Sequence, residues 1–310
     1  MNPTLGDRCF VDELLEPARF LDIIRVSGDA SNQSAVRSQS FSNLESLRTY
    51  VENDENDDYS CRFISICQRN SWRPLQITRP MMSLIVNAHD LSHSFWDLPS
   101  CFYTRSLDLE EAYCIPFTLI HGRFVSYTIR YPEFKESDEE WAIRQSGIFH
   151  RFNTETRQSV FLLLSPKPDS KGHRLVEECL LSWHQGGANT GPLSLHEALF
   201  SVYLPSWRQY LATHEGEFLP MANSTFATYI DEPLRLGYDH LSAMISLETR
   251  FVKATSLLAS TMDVLKELTT LLSYDPGLLA TSEESDQVAI KLNNRLRQCA
   301  AHSRTATYRP

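Results

Sequence analysis

Nowhere in this chain do 18 apolar residues run without interruption, so no segment of it is expected to span a bilayer as a helix. It does not open on a basic segment followed by an apolar stretch, and no secretory leader is expected. Long Lys/Arg runs are missing and the formal net charge is -10. Nucleic acid and anionic membranes both need a concentrated positive patch, which removes them as partners. The seven cysteines (Cys9, Cys61, Cys67, Cys101, Cys114, Cys179, Cys299) contain no C-x-x-C pair, and their number is odd. Zinc-cluster spacing is absent, and a reducing, intracellular compartment is the simplest expectation. The glycines of 186–192 lack the Lys-Ser/Thr ending of a phosphate-binding loop and read as a turn. Gly-x-Ser-x-Gly is missing too, and neither Ser146 nor any cysteine has a recognisable histidine partner, so no enzyme is expected. A hydrolase is kept as the third reading, because triads assemble from distant positions.

What remains is ample material for a core. Hydrophobic residues make up 42% of the 310 residues and charged ones 22%, enough for one large or two ordinary folded domains. The clearest pattern lies in 239–273. Met244, Phe251, Leu258, Leu265 and Leu272 recur every seventh residue, with Leu247, Ala254, Thr261 and Leu268 three positions after the first four. An a/d seam of this kind demands a helix lying against another helix. Gly237 breaks the chain before it, Asp239 can cap it, and Asp275-Pro276-Gly277 ends it. The alternative is an ordinary long core helix.

Upstream, Phe10, Val11, Leu14, Leu15, Phe20, Leu21 and Ile24 fall at roughly helical spacing, divided by Pro17. Residues 27–40 are Ser/Asn/Gln-rich and read as a mobile connection, and a short helix follows over 41–51. Glu52, Asp54, Glu55, Asp57 and Asp58 crowd one loop that lacks the glycine and distal glutamate of a calcium motif. Residues 61–67 read as a buried strand, and Pro80 opens a helix running to about residue 90. His89 and His93, four apart, have the spacing of a metal pair without a third ligand. Strands are expected over 112–120 and 124–131, with a hairpin of 148–152 and 160–164, and the run Val160 to Leu164 suits a strand covered on both faces. Helices follow at 175–183 and from Ser194 to about Glu215, where Pro205 should bend the chain. A last short helix over 288–299 precedes a frayed tail.

The fold class expected is α/β (α+β mixed), a central mixed sheet flanked by helices and followed by a long C-terminal stalk-like helix. The expected divisions are a helical, partly flexible segment (1–59), the sheet (60–165), a helical part of the same domain (166–235), the stalk-like helix (236–275) and a polar tail (276–310).

Several stretches carry a resemblance. Trp141-x-x-Arg144-Gln145-Ser146-Gly147 with Phe149-His150 and the strand Phe161 to Leu164 resembles the cytosolic domain of fungal CorA-like transporter proteins. So do Phe63 to Ile66 with Gln68-Arg69-Asn70-Ser71-Trp72, Tyr127 to Tyr131, Trp207-Arg208-x-Tyr210-Leu211, and 241–272. Together these cover about 60–272. The resemblance implies an α/β cytosolic domain feeding a long helix toward the membrane. In CorA-type channels that helix packs around a pentamer axis, and magnesium between subunits holds the pore shut. The seam, read through Met244, Leu247, Phe251, Leu258, Leu265, Leu268 and Leu272, would then meet the same helix of a neighbour or the last helix of this chain. The membrane helices and the Gly-Met-Asn pore signature are not present, which leaves a truncated product or a relative without its channel. Transport by this chain alone is excluded on hydrophobicity. Localisation is then cytoplasmic for this chain, and membrane if the missing helices belong to it.

Trp141, Arg144, Gln145, Gly147, Trp207 and Tyr210 are read as structural: apolar anchors, donors to backbone carbonyls and, at Gly147, a close approach or positive φ. Asp263 and Glu267, one turn apart, with Glu248 further up, are the candidate carboxylates for hydrated Mg2+ in a ring, against the alternative of solvated helix-face charges. Three functions follow: a regulatory or assembly domain of a CorA-like divalent-cation (magnesium) transporter, a soluble module that binds a partner helix through 239–273, or the hydrolase.

Overall fold

The computed structural model describes residues 8–25, 34–104, 115–120, 124–153, 155–156, 158–184, 194–226, 237–274 and 282–307. Cys114, the turns at 121–123 and 186–192, the stop at 275–277 and the side chain of Leu272 lie outside the described residues.

Seven strands form one sheet: β1 (Ala18–Arg25), β2 (Ser34–Phe41), β3 (Tyr59–Cys67), β4 (Thr118–Ile120), β5 (Phe124–Lys135), β6 (Glu140–Asn153) and β7 (Gln158–Ser165), in the order β2-β1-β3-β7-β6-β5-β4. The sheet is mixed because one pair, β3 with β7, is parallel, while the others are antiparallel. Those two strands lie at its centre, where both faces are covered, and that is why they are apolar without alternation. Along β7, Phe161 and Leu163 point into one core and Val160, Leu162 and Leu164 into the other.

One face packs on α1 (Leu44–Val51) and α2 (Arg79–Ala88). Asn43 caps α1 through Ser46, and Thr78 caps α2, which carries Pro80 in its first turn. The other face carries α3 (Lys171–His184), α4 (Ser194–Phe226), α5 (Tyr238–Tyr274) and α6 (Ser282–Thr307).

Several expectations are corrected. The helical reading of 10–26 gives way to β1. Its run of adjacent apolar residues satisfies both faces of an inner strand: Phe20 enters one core and Leu21 and Ile23 the other. Short apolar runs do not distinguish the two periods. The second half of the supposed mobile connection belongs to β2, whose polar residues Ser38 to Ser40 are exposed on an edge strand. The first 59 residues therefore contribute to the sheet.

Trp141 to Gly147 lies within β6 and pairs along β5 as far as Glu140 with Lys135. Pro132 is tolerated in β5 because β4 reaches only Ser126, which leaves the far half of β5 as an edge. Of 112–120, only Thr118–Ile120 pairs as a strand among the described residues. Helix α4 continues through Pro205 and Pro220, beyond its expected end. The final helix spans Ser282–Thr307, so 300–307 is helical and not frayed.

The acidic loop closes on a buried ion pair. Arg62 Nε and Nη2 donate to Asp22 Oδ1 and Oδ2 at 2.9 and 2.8 Å, and the Tyr50 hydroxyl adds a bond to Oδ2 at 2.5 Å. The same guanidinium donates to the Asn56 carbonyl at 2.5 Å and lies 4.1 Å from the centre of the Tyr59 ring. That carbonyl points at a cation supplied by the chain itself.

Candidate functional site

Helix α5 is the element the heptads describe, about 55 Å long at 1.5 Å per residue. Most of its seam is buried. Leu247, Phe251, Ala254, Leu258, Thr261, Leu265 and Leu268 are all buried, and Met244 is partly so. They face α6, where Val288, Leu292, Cys299 and Ala306 form a matching buried stripe. The Cys299 thiol reaches the Leu258 carbonyl at 3.5 Å, near the middle of an antiparallel hairpin. Thr261, the one polar residue of the seam, returns its hydroxyl to the Leu257 carbonyl at 2.9 Å and so is buried with its hydrogen bond made. Arg295 of α6 pairs with Glu197 of α4 at 3.2 Å, which ties the hairpin to the layer over the sheet. Of the two expected partners, the last helix of this chain is the one the structure places on the seam.

A second apolar stripe of α5 has no cover among the described residues. Tyr238, Leu241, Ile245 and Val252 are 84, 54, 63 and 65% exposed. Spaced by three, four and seven, they share one outer flank of the first half of the helix.

The candidate carboxylates stand on exposed positions of α5. Asp263 pairs with Lys266 at 3.2 Å, and Glu267 and Glu248 face solvent. Glu248 lies about 22 Å along the helix from Asp263, too far for one ion to reach both. No group of three or more His, Cys, Asp or Glu able to hold a metal occurs among the described residues. His89 and His93 do not form a pair: His89 is buried, with a pKa lowered to about 3 by burial and by Arg62 and Arg151, and His93 is exposed.

The motif residues are drawn together. Trp141 of β6 meets Tyr210 of α4 edge-on at 5.6 Å, and Tyr210 meets Trp207 at 5.7 Å. Arg144 donates to Glu133 at 2.9 Å and to the Ser71 hydroxyl at 2.8 Å, side chains where backbone carbonyls were expected. Gln145 does donate to a carbonyl, that of Cys101, at 3.3 Å, and accepts from Arg130 at 2.9 Å. At Gly147 a Cβ would lie 2.9 Å from the Phe102 ring, so the strand and the segment crossing it require glycine there.

One cluster escaped sequence reading. His150 of β6 and His196 of α4 are linked at 2.8 Å, with the Tyr127 hydroxyl at 2.5 Å beyond His196 and the Ser159 hydroxyl at 2.5 Å beyond His150. Burial keeps both imidazoles neutral, His196 at about 3 and His150 well below its ordinary value. The signal available was the placement of His150 and Ser159 at inward positions of apolar strands. The Ser-His pair is enclosed, with His150 wholly buried, the Phe152 ring tilted against it and the Phe161 ring edge-on, so no substrate reaches it. Ser146 contacts the Tyr203 hydroxyl at 3.1 Å, and no histidine among the described residues. Burial pushes the Cys61 and Cys299 thiols up to about 12, away from reactive thiolates. Among the described residues no helix is long and apolar enough to cross a membrane.

A family model described as CorA-like transporters matches residues 7–115. That range overlaps the expected resemblance over 60–115 and adds β1 and β2, which sequence reading had left out of the fold. No curated protein matches the chain. Among solved structures, the soluble domain of CorA from Methanocaldococcus jannaschii is similar at 14% identity and a TM-score of 0.51, covering 96% of each chain. The complete CorA magnesium transporter of the same organism is similar at 15% and 0.51, over 94% of this chain and 74% of that one. The full-length CmaX protein is similar at 12% and 0.53, over 96% and 76%. At these identities the likeness establishes the fold, and the fold is that of the CorA soluble domain.

Proposed function

We propose that this chain is the cytosolic domain of a CorA-like divalent-cation transporter protein, acting in assembly and regulation of the channel. The observation that carries the reading is the shared fold over 96% of both chains with the CorA soluble domain. The family model over β1 to α2 supports it independently.

On this reading the inner seam of α5 holds the subunit together, and the outer stripe is what a neighbouring copy meets. Leu247, Phe251, Leu258, Leu265 and Leu268 are already covered by their own chain, so contact falls to Tyr238, Leu241, Ile245 and Val252. Exposed Asp263, Glu267 and Glu248 come from one subunit each and would hold a hydrated magnesium ion only as a ring of copies. Self-association and its response to magnesium are one test. Light scattering should give a mass above the monomer that changes with millimolar magnesium, and Ile245→Asp with Val252→Asp should return the monomer without altering its melting. A monomeric mass at high concentration, with and without magnesium, would overturn the assembly role.

The uncovered stripe favours one second reading, a soluble module docking a foreign helix. Loss of a heterologous partner in the same double variant, with no change in the mass of the chain alone, distinguishes it.

A further inference from the structure

At the turn end of the β5–β6 hairpin a cleft of about 620 Å³ opens between the hairpin, α4 and the start of α3. That volume is within the range of small-molecule sites. Its charge runs against the chain. Lys135, Lys167, Lys171 and Arg144 line it with only Glu133 and Glu136 opposing them, a local balance of four cations to two carboxylates in a protein of net charge -10.

The cations are not equivalent. Arg144 and Lys167 both bind Glu133, at 2.9 and 2.6 Å, and although burial opposes it these contacts hold the Glu133 carboxyl below its ordinary value. Lys135 pairs with Asp138 on the exposed turn at 3.3 Å. The Lys171 side chain makes no ion pair or hydrogen bond among the described residues, and it opens α3, whose N-terminal amides favour an anion at the same place.

The walls are aromatic. Phe134 is 45% exposed and stands edge-on to Trp141 at 5.3 Å. Trp141 forms the wall beside Phe134, with its indole Nε1 buried behind the lining. Beneath, Tyr203 stacks on Tyr131 at 3.9 Å and presses its hydroxyl onto Gly172, where a Cβ would lie 1.9 Å away, so the floor is fixed. A bare anion would leave the exposed aromatic wall unused, and a neutral ring would leave Lys171 unpaired.

We propose that this cleft binds a mononucleotide-like ligand, its base against Phe134 and Trp141 and its phosphate on Lys171, with Lys135 and Lys167 alongside. The assignment does not depend on the transporter reading.

The test is calorimetric titration of the full chain with AMP, with adenosine and inorganic phosphate as separate probes. AMP should bind with a Kd below about 1 mM, and each half alone at least about tenfold more weakly. Lys171→Glu should weaken AMP about tenfold or more while Lys171→Arg retains it, and Phe134→Ala should weaken it as well. Both positions are exposed, and an unchanged melting curve certifies each variant. Absence of AMP binding up to about 10 mM overturns the proposal. So does unchanged affinity in Lys171→Glu, or phosphate or adenosine binding as tightly as AMP.

Discussion

Replacing Leu258 with alanine separates a seam that holds one subunit together from one that joins two. Leu258 is fully buried, lies halfway along α5, and has the Cys299 thiol of α6 on its carbonyl. Truncating a leucine in such a place removes its transfer free energy and leaves a cavity, a loss of about 2–5 kcal/mol. With a melting shift of about 2–4 °C per kcal/mol in large domains, a loss of about 3 kcal/mol lowers Tm by roughly 6–12 °C. Ile245 on the same helix is 63% exposed, and Ile245→Ala should stay within about 0.5 kcal/mol of the parent. Calorimetric melting at low protein concentration, where self-association contributes least, reads both variants. If Leu258→Ala melts like the parent while the mass of an assembly falls, the seam faces a neighbour and the α5–α6 packing argument is wrong.

Two further expectations rest on buried polar groups. Asp22→Ala strands the Arg62 guanidinium, whose side chain is 2% exposed, and should cost about 3–5 kcal/mol in urea unfolding, with Asp22→Ala/Arg62→Met recovering a large part. A single variant as stable as the parent refutes that role. His89 and His196 titrate at about 3 in the folded chain, through burial, against about 6.5 when unfolded. Between those values the unfolded chain binds more protons, so the stability they confer is complete above pH 6.5 and is lost as pH falls toward 3. At pH 5 each depressed histidine costs about 2 kcal/mol, and His150, lowered in the same sense, adds to the effect. A urea midpoint identical at pH 7 and pH 5 would contradict it.

The elements written in periodicity were legible in the chain. The heptads of α5, the continuous apolar run of β7 and the start of α2 at Pro80 each follow from a local rule, and each is where the rule puts it. The resemblance was likewise carried by local stretches, and its residues Trp141, Trp207 and Tyr210 prove to touch.

Other features belonged to tertiary structure. Whether Phe20, Leu21 and Ile23 make a helix or a strand is decided by the neighbours on both sides of β1, because adjacent apolar residues satisfy two cores only when opposite faces are both covered. The polar Ser34–Phe41 becomes a strand because β1 offers it an edge. A seam states that a helix has a companion and is silent on which one. The antiparallel return of α6 decided that, and by covering the leucines it left Tyr238, Leu241, Ile245 and Val252 as the flank facing out. The His150–His196 chain and the basic aromatic cleft come from residues tens of positions apart, so only the closing of α3 and α4 over the sheet brings them into being.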